Sequence, residues 1–499
     1  MNDSFVIAPN EARSDILMAA AALAERVGSA DGRADAVAAV NERLLARKEV
    51  DVAAQLADTL PDDLARDRQL IAVAARCAEI DDDEYAEQLV EAVEDFSQRA
   101  IAHERLAEVK AAKGDFQQAL KLAGSLDHAE HVFSVLAARY AAEGLTREAD
   151  EMLSRIEYPP LRVRTLCEMA ARNIDKKEFP AAIERLEAAT EVVKDIDLPE
   201  EALRELNAIA HFFIAALRKD HALETLNKAK AIAEPMDSAW REVWLAQIAI
   251  RFAEAESMEL AERALDLVRD KTHFASALAA IAELRNKRGD AETAREDLEE
   301  AYAVLKSQTI KDIRDSESRY GVLATVATRM AGLGAFERAH EMAAAIDYEN
   351  SRWAAHTGIA ALAAREDMTS TVVESLKAID PGPIKVSALL TVSDVYRQKE
   401  EKDKSLEHLS NALDLCEEVP QLPARADGLN KAARRFHSLG DADKAREILR
   451  DNLSKTVASI LDQSAKAKAL VDIATSYDDL GLEISEEERA ALAKIVAVS

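Results

Sequence analysis

The sequence predicts an all-α protein, a right-handed α-α superhelix of about 13 helical hairpins. Three observations predict it. Aromatic residues make up only 4% and there are 14 Gly and 11 Pro in 499 residues, so strand and turn signals are sparse beside an Ala, Leu, Glu, Lys and Arg background. A small residue recurs twelve positions before another, across a charged or glycine turn, along nearly the whole chain. A basic residue stands eight positions before most of the first small residues.

The small-residue pairs define the elements in order. Nine are Ala/Ala: Ala74/Ala86, Ala107/Ala119, Ala137/Ala149, Ala170/Ala182, Ala210/Ala222, Ala249/Ala261, Ala282/Ala294, Ala327/Ala339 and Ala433/Ala445. Four imperfect pairs complete the series at Asn41/Ala53, Ala360/Val372, Ser393/Ser405 and Ala474/Glu486. In each first helix a Leu commonly sits four residues earlier, on the same face, as at Leu70, Leu166, Leu245 and Leu429. Alanine suits the crossing because a longer side chain between two close helices overpacks, at about 1 to 3 kcal/mol. Gly114, Gly144, Gly289 and Gly440 stop first helices, and a second helix then returns antiparallel.

These features resemble the tetratricopeptide repeat family. The resemblance rests on the small residue of helix A, an aromatic three residues on (Tyr140, Phe213, Phe252, Tyr396, Phe436, Tyr477), a Gly-Asp turn and an early Ala in helix B. The family's early Trp is mainly Leu here and its closing Pro is mostly missing. The resemblance implies a concave wall built from helix A.

Residues 1–30 are expected to form an N-terminal tail and capping helix, 31–483 the repeat array, and 484–499 a C-terminal capping helix, because end repeats must hide an apolar side. Steps of 30, 33, 40 and 39 residues from Ala107 to Ala249 echo steps of 33, 33, 40 and 41 from Ala327 to Ala474. That echo predicts an internal duplication, about 99–260 and 319–483. The longer steps predict a longer helix B.

The basic ladder comprises Arg33, Arg66, Arg99, Arg162, Arg241, Arg319, Arg352, Lys385, Arg425 and Lys466. Ten basic residues at thirteen positions exceed the about two expected from 64 Lys and Arg in the chain. In four hairpins an acid precedes the base by five residues (Glu94/Arg99, Glu157/Arg162, Asp347/Arg352, Asp380/Lys385), where it can cap the helix or pair with the base. The ladder reads as structural stitching between hairpins, with a rail for an acidic peptide or phosphate as the alternative.

A net charge of -29 repels phosphate backbones, so nucleic acid is unlikely as a partner. No phosphate-binding loop, nucleophile elbow or zinc-protease motif occurs, and the expectation is no enzyme, no cofactor, no metal site and no catalytic residue. The apolar run at 16–24 is too short to span a bilayer, and "MNDSFVIAPNEARSD" has no basic leader. Cys77, Cys167 and Cys416 form no disulfide framework, which fits a cytoplasmic location. Candidate contacts on the concave wall are a polar group near the C-terminus, Asp394, Arg397, Asp427, Asn430, Arg434 and His437, and an aromatic group midway, Phe212, Phe213, Trp240 and Trp244. The reading is an acidic interaction scaffold or adaptor that binds a protein or peptide segment along helix A. The alternatives are a regulatory sensor for a peptide or small ligand and a self-associating structural subunit.

Overall fold

The computed structural model describes residues 6–307 and 313–497. Its helices are α1 (Pro9–Ser14) and α2 (Ile16–Ala24), then thirteen hairpins. The first four are α3 (Ala30–Ala46) with α4 (Val50–Ala57), α5 (Asp63–Glu79) with α6 (Asp83–Ala92), α7 (Phe96–Lys113) with α8 (Phe116–Ala123), and α9 (Glu130–Ala142) with α10 (Thr146–Ser154). Next come α11 (Pro159–Asp175) with α12 (Phe179–Val192), α13 (Pro199–Ala215) with α14 (Lys219–Ala233), α15 (Trp240–Glu254) with α16 (Met258–Leu265), and α17 (Lys271–Lys287) with α18 (Ala291–Lys306). The last five are α19 (Ile313–Gly332) with α20 (Phe336–Ala344), α21 (Glu349–Arg365) with α22 (Thr369–Lys377), α23 (Pro383–Gln398) with α24 (Lys402–Glu418), α25 (Leu422–Ser438) with α26 (Ala442–Ser459), and α27 (Gln463–Asp479) with α28 (Glu486–Ala497). No strand occurs among the described residues. The chain forms two compact units, one of residues up to 109 and from 363 onward, the other of residues 110–362, and each is a tetratricopeptide-like α-solenoid.

The hairpins form where the small pairs predict them. All nine Ala/Ala pairs are at most 1% exposed. Where the pair is polar, the close approach is used for hydrogen bonds. Asn41 Nδ2 donates to the Ala53 carbonyl at 3.1 Å, and Ser393 and Ser405 each donate to the other's carbonyl at 2.9 Å. The pair Ala474/Glu486 is corrected by the structure: Ala474 is buried, but Glu486 is the exposed first residue of α28. A longer connection between α27 and α28 breaks the twelve-residue spacing, and the buried polar residue there is Glu488, which accepts the Tyr477 hydroxyl at 2.6 Å.

Every hairpin turn places a left-handed residue seven positions after the first small residue. Six are glycines, and seven are not: Lys48, Asp81, Lys177, Leu217, Glu256, Asp367 and Glu400. The next N–H then reaches back five residues, as from Asp115 to Lys110, Arg218 to Phe213 and Asp441 to Phe436, which closes the first helix with a Schellman bond. The longer sequence steps appear in helix B, with α12 continued by a 3-10 turn to Asp195, and α14, α18, α24 and α26 also long.

In the unit that holds both terminal segments, the first and last hairpins are neighbours. Helices α2 and α3 pack on α27, and α1 packs on α28. Asp478 joins them, accepting from Arg43 at 2.5 Å and from Arg47 at 2.7 Å, while Arg47 also reaches Asp15 at 2.9 Å. Burial works against the Asp478 charge, but the two arginines outweigh it and hold the carboxyl below its usual range. Lys468 pairs with Asp35 at 2.9 Å, and Ser464 Oγ donates to the Gly32 carbonyl at 3.0 Å. Cys77, Cys167 and Cys416 are free and buried, and burial pushes their thiols up to about 11, 12 and 12.

Two predictions follow from the turns and the core of residues 110–362. Leu217 is left-handed (φ 60°) and 73% exposed, so Leu217→Gly removes strain without removing packing. Urea unfolding should show a gain of about 1 kcal/mol. Gly289→Ala should lose a similar amount, since an added Cβ there meets nothing within 4 Å and only backbone strain is read. His356 of α21 is 4% exposed, and its pKa is pushed down to about 4 by burial, then by His340 and Arg352. It stays neutral when folded, so its contribution is intact above the unfolded value of 6.5 and is lost as pH falls through the window to about 4. His356→Leu should flatten the fall in stability across that window by roughly 3 kcal/mol, measured as the difference between the two proteins' pH profiles.

Candidate interaction site

The ladder residues lie at the start of helix A, and most hold turn backbone. Arg33, Arg99, Arg352 and Arg425 donate to the carbonyl six residues earlier, at Val27, Val93, Ile346 and Val419, over 2.6 to 3.1 Å. Arg33 and Arg241 also reach forward to the next inter-hairpin turn, at the Thr59 and Leu267 carbonyls. Lys466 donates to the Val457 carbonyl at 2.9 Å. Arg66 pairs with Glu94 of the following hairpin at 3.0 Å. Arg319 is buried and lies over the Tyr320 ring at 5.3 Å.

None of the four acid/base pairs spaced by five forms an ion pair among the described residues. Instead Glu94 serves the preceding hairpin's Arg66, and Asp347 accepts the Tyr320 hydroxyl at 3.4 Å. A second set of acids, directly after the ladder position, was missed by sequence reasoning. Asp67 accepts the Glu94 and Asp95 N–H groups, Glu130 those of Glu157 and Tyr158, and Glu242 those of Arg269 and Asp270. The acceptors lie 27 and 28 residues before their donors. Burial disfavours the Glu242 charge, yet the backbone donors and Arg241 hold its carboxyl below the usual range.

The six polar candidates lie on α23 and α25, and the structure spends three of them, Asp394, Asn430 and Arg434, on neighbouring helices. Buried Asn430 donates to the Asp472 carbonyl at 2.9 Å and accepts from Ser476 Oγ at 2.7 Å. Arg434 donates to the same Ser476 Oγ at 2.7 Å and pairs with Asp479 at 3.3 Å. Asp394 is held by Arg435 at 2.6 Å and by Arg397 at 3.4 Å, and Asp427 by Lys431 at 2.6 Å. His437 is half-buried. Adjacent first helices lie about 10 Å apart, so a polar side chain on the facing edge meets the next helix before it meets a ligand. Of the aromatic candidates, Phe213 is buried against His221 (ring centroids 5.2 Å apart), Phe212 and Trp244 are half-buried, and only Trp240 is largely exposed.

The helix-A face does contain cavities, at other residues. In residues 110–362 a cavity of about 610 Å³ opens between α17, α19 and α21. It is lined by the small or short side chains of Ala282, Gly321, Ala324, Thr325 and Ala354 and by the charged side chains of Glu283, Lys287 and Arg329. Thr325 and Thr328 donate their hydroxyls to the Gly321 and Ala324 carbonyls, at 3.1 and 2.9 Å, which satisfies their polar groups within α19. Lys287 at 2.7 Å, and also Arg329 at 3.0 Å, hold the Glu283 carboxyl below its usual range against partial burial. A Cβ on Gly321 would meet nothing within 4 Å, so the cavity is open there, whereas one on Gly358 would stand 2.7 Å from Thr328. In the other unit a groove of about 600 Å³ lies on α3, α5 and α7, with Ile71, Ala72 and Ile101 below and Arg68, Arg76 and Arg105 beside them. Glu283, Thr328, Glu42 and Ala75 each directly follow the first small residue of their hairpin. The run of small residues around Gly321 and Ala324 was the signal that could have located the larger cavity.

No family model matches the chain, and no curated protein matches it. Among solved structures, Ton1535 from Thermococcus onnurineus NA1 is similar at 13% identity, over 81% of this chain and 98% of that one, with a TM-score of 0.24. A signal transduction ATPase with numerous domains and a tetratricopeptide repeat sensor, from Pyrococcus horikoshii, is 13% identical over 81% and 64%, with a TM-score of 0.26. The apo quorum sensor NprR from B. thuringiensis is 12% identical over 81% and 99%, with a TM-score of 0.25. These superpositions are loose, and the fold rests on the chain's own hairpins.

Asn430→Ala should cost about 1 to 3 kcal/mol in thermal or urea unfolding, because it removes the two bonds that this buried amide makes with the Asp472 carbonyl and the Ser476 hydroxyl. By its repeated crossing, its left-handed turn and its Schellman bond, the chain has a tetratricopeptide-like helical-repeat fold.

Proposed function

We propose that the chain is a non-enzymatic interaction scaffold that takes a segment of a partner protein on the helix-A face of residues 110–362. The observation that carries this reading is the cavity between α17, α19 and α21, which small residues line together with Glu283, Lys287 and Arg329. An apolar side chain fills the cavity, and polar groups of the segment meet Glu283, Lys287 and Arg329. Among the described residues no helix is long and apolar enough to cross a membrane, and no group of three or more His, Cys, Asp or Glu is placed to hold a metal ion. The buried free cysteines support the proposed cytoplasmic location.

A sensor of a small apolar ligand is the second reading, favoured by the cavity's volume, which lies within the roughly 300 to 1,000 Å³ of small-molecule sites. Self-association, the third, would use faces other than those α2, α3 and α27 cover on one another. We also propose that residues 1–30 and 484–499 are caps and that residues 99–260 and 319–483 are a duplication. Short, short, long, long lengths of helix B recur in α8, α10, α12, α14 and in α20, α22, α24, α26, in support of the duplication.

Gly321→Phe tests the reading by placing a large side chain in the cavity, at a position where an added Cβ meets nothing within 4 Å. Affinity capture from native lysate should recover a partner with the wild type and lose it with this variant, at unchanged helicity. The triple variant Asn430→Ala, Arg434→Ala, His437→Ala should retain that partner if it is folded. A partner held equally by Gly321→Phe would overturn the placement, and a small molecule recovered instead of a protein would favour the sensor.

A further inference from the structure

Three successive hairpins of residues 110–362 begin their first helix with a large apolar side chain left in water. Tyr158 is 44% exposed, Leu198 57% and Trp240 58%. Tyr158 and Leu198 are the N-cap residues of α11 and α13, each followed by proline, and Trp240 is the first residue of α15. Tyr158 and Leu198 share one register, twelve positions before Ala170 and Ala210, and Trp240 stands nine positions before Ala249, about one helical turn further in at the same end of its helix. The Tyr158 hydroxyl donates to Glu201 of the next hairpin at 2.7 Å, which joins the first two hairpins directly.

Five carboxylates accompany these side chains: Glu157, Asp195, Asp197, Glu200 and Asp237. Among the described residues none of them has an ion-pair partner. Of the nearby cations, Lys194 is engaged by Glu191, and Arg204 by Glu205 at 3.0 Å and by Glu201, while half-buried Arg162 has no ion-pair partner among the described residues. Exposed apolar side chains flanked by five uncompensated acids and one base form an interaction surface rather than a packing remnant. We infer that this edge docks a basic amphipathic protein segment, with its apolar side chains on Tyr158, Leu198 and Trp240 and its Lys or Arg side chains on the carboxylates.

Charge selects that occupant. An acidic peptide, a nucleic acid or a second copy of this chain, at -29, would be repelled by the edge. Spacing agrees with a helix, since first helices stack at about 10 Å and seven residues of α-helix rise about 10 Å. The edge is distinct from the cavity between α17, α19 and α21, so the inference stands or falls without that reading.

The test uses the full chain and a fluorescent Leu/Lys amphipathic peptide of about 18 residues, with a Leu/Glu peptide of the same pattern as control. Anisotropy should show saturable binding of the Lys peptide alone. Leu198→Ser with Trp240→Ser, both at exposed positions, should weaken binding about tenfold or more. Reversing Asp195, Asp197, Glu200 and Asp237 to Lys should abolish it. The same four-charge reversal at Glu292, Glu296, Glu407 and Asp414, exposed acids elsewhere, should leave it within about twofold. Equal binding by the Leu198/Trp240 variant, equal weakening by the distant reversal, or equal binding of the Glu peptide would each overturn the inference. Circular dichroism of every variant confirms that loss of binding is not loss of fold.

Discussion

The fold depends on how closely two antiparallel helices approach at one pair of small residues. At most of those crossings nothing larger than a methyl group or a short hydroxyl stands between the backbones, and the Ser393/Ser405 exchange of bonds shows how near the two carbonyls lie. The turn must then reverse the chain within a few residues, which requires a left-handed residue at one position. Seven of the thirteen hairpins accept a side chain there at a strain of about 1 kcal/mol each. The geometry of the crossing therefore outweighs local preference.

Stacking those hairpins raises a second problem, since each inter-hairpin turn leaves backbone carbonyls and N–H groups at the margin of the core. Two sets of charged side chains address the two polarities. Ladder cations take the carbonyls, at Val27, Val93, Ile346 and Val419, and the acids Asp67, Glu130 and Glu242 take the N–H groups 27 and 28 residues later. The ladder is thus explained by local hydrogen bonds, and a bound anion is unnecessary to account for it. Acids along the same turns that lack such duties, as at Asp195 and Asp197, are what gives the edge of α11, α13 and α15 its character.

The hairpins were legible because a crossing of fixed length writes a fixed spacing into the chain. The packing of α2 and α3 on α27 was not legible. It joins residues more than 400 apart, through Arg43, Arg47 and Asp478, and no period relates them. Glu486 failed for a related reason: the connection after α27 is longer, and the spacing rule that located twelve other second helices has no purchase there. The candidate groove failed on chemistry. Asn430 and Arg434 are what a peptide clamp requires, but they are also what two neighbouring helices require, and only the position of Ser476 on α27 separates the two uses.

The cavity's location follows from the same register once residue size is considered. Six and three positions before the first small residue, the side chain points from helix A toward its neighbouring first helices. In the hairpins of α5 and α7 these places hold Arg68, Ile71 and Ile101, which line the groove of the first unit with bulk and charge. In the hairpins of α19 and α21 they hold Gly321, Ala324 and Ala354, so a cavity of similar volume is lined there by small side chains instead. The scaffold keeps most crossing pairs small, but it can vary the position six residues before the crossing where that position faces open space, as the empty surroundings of Gly321 show. On the proposed scaffold reading, binding character is set at that position, where a change of size leaves the repeat intact.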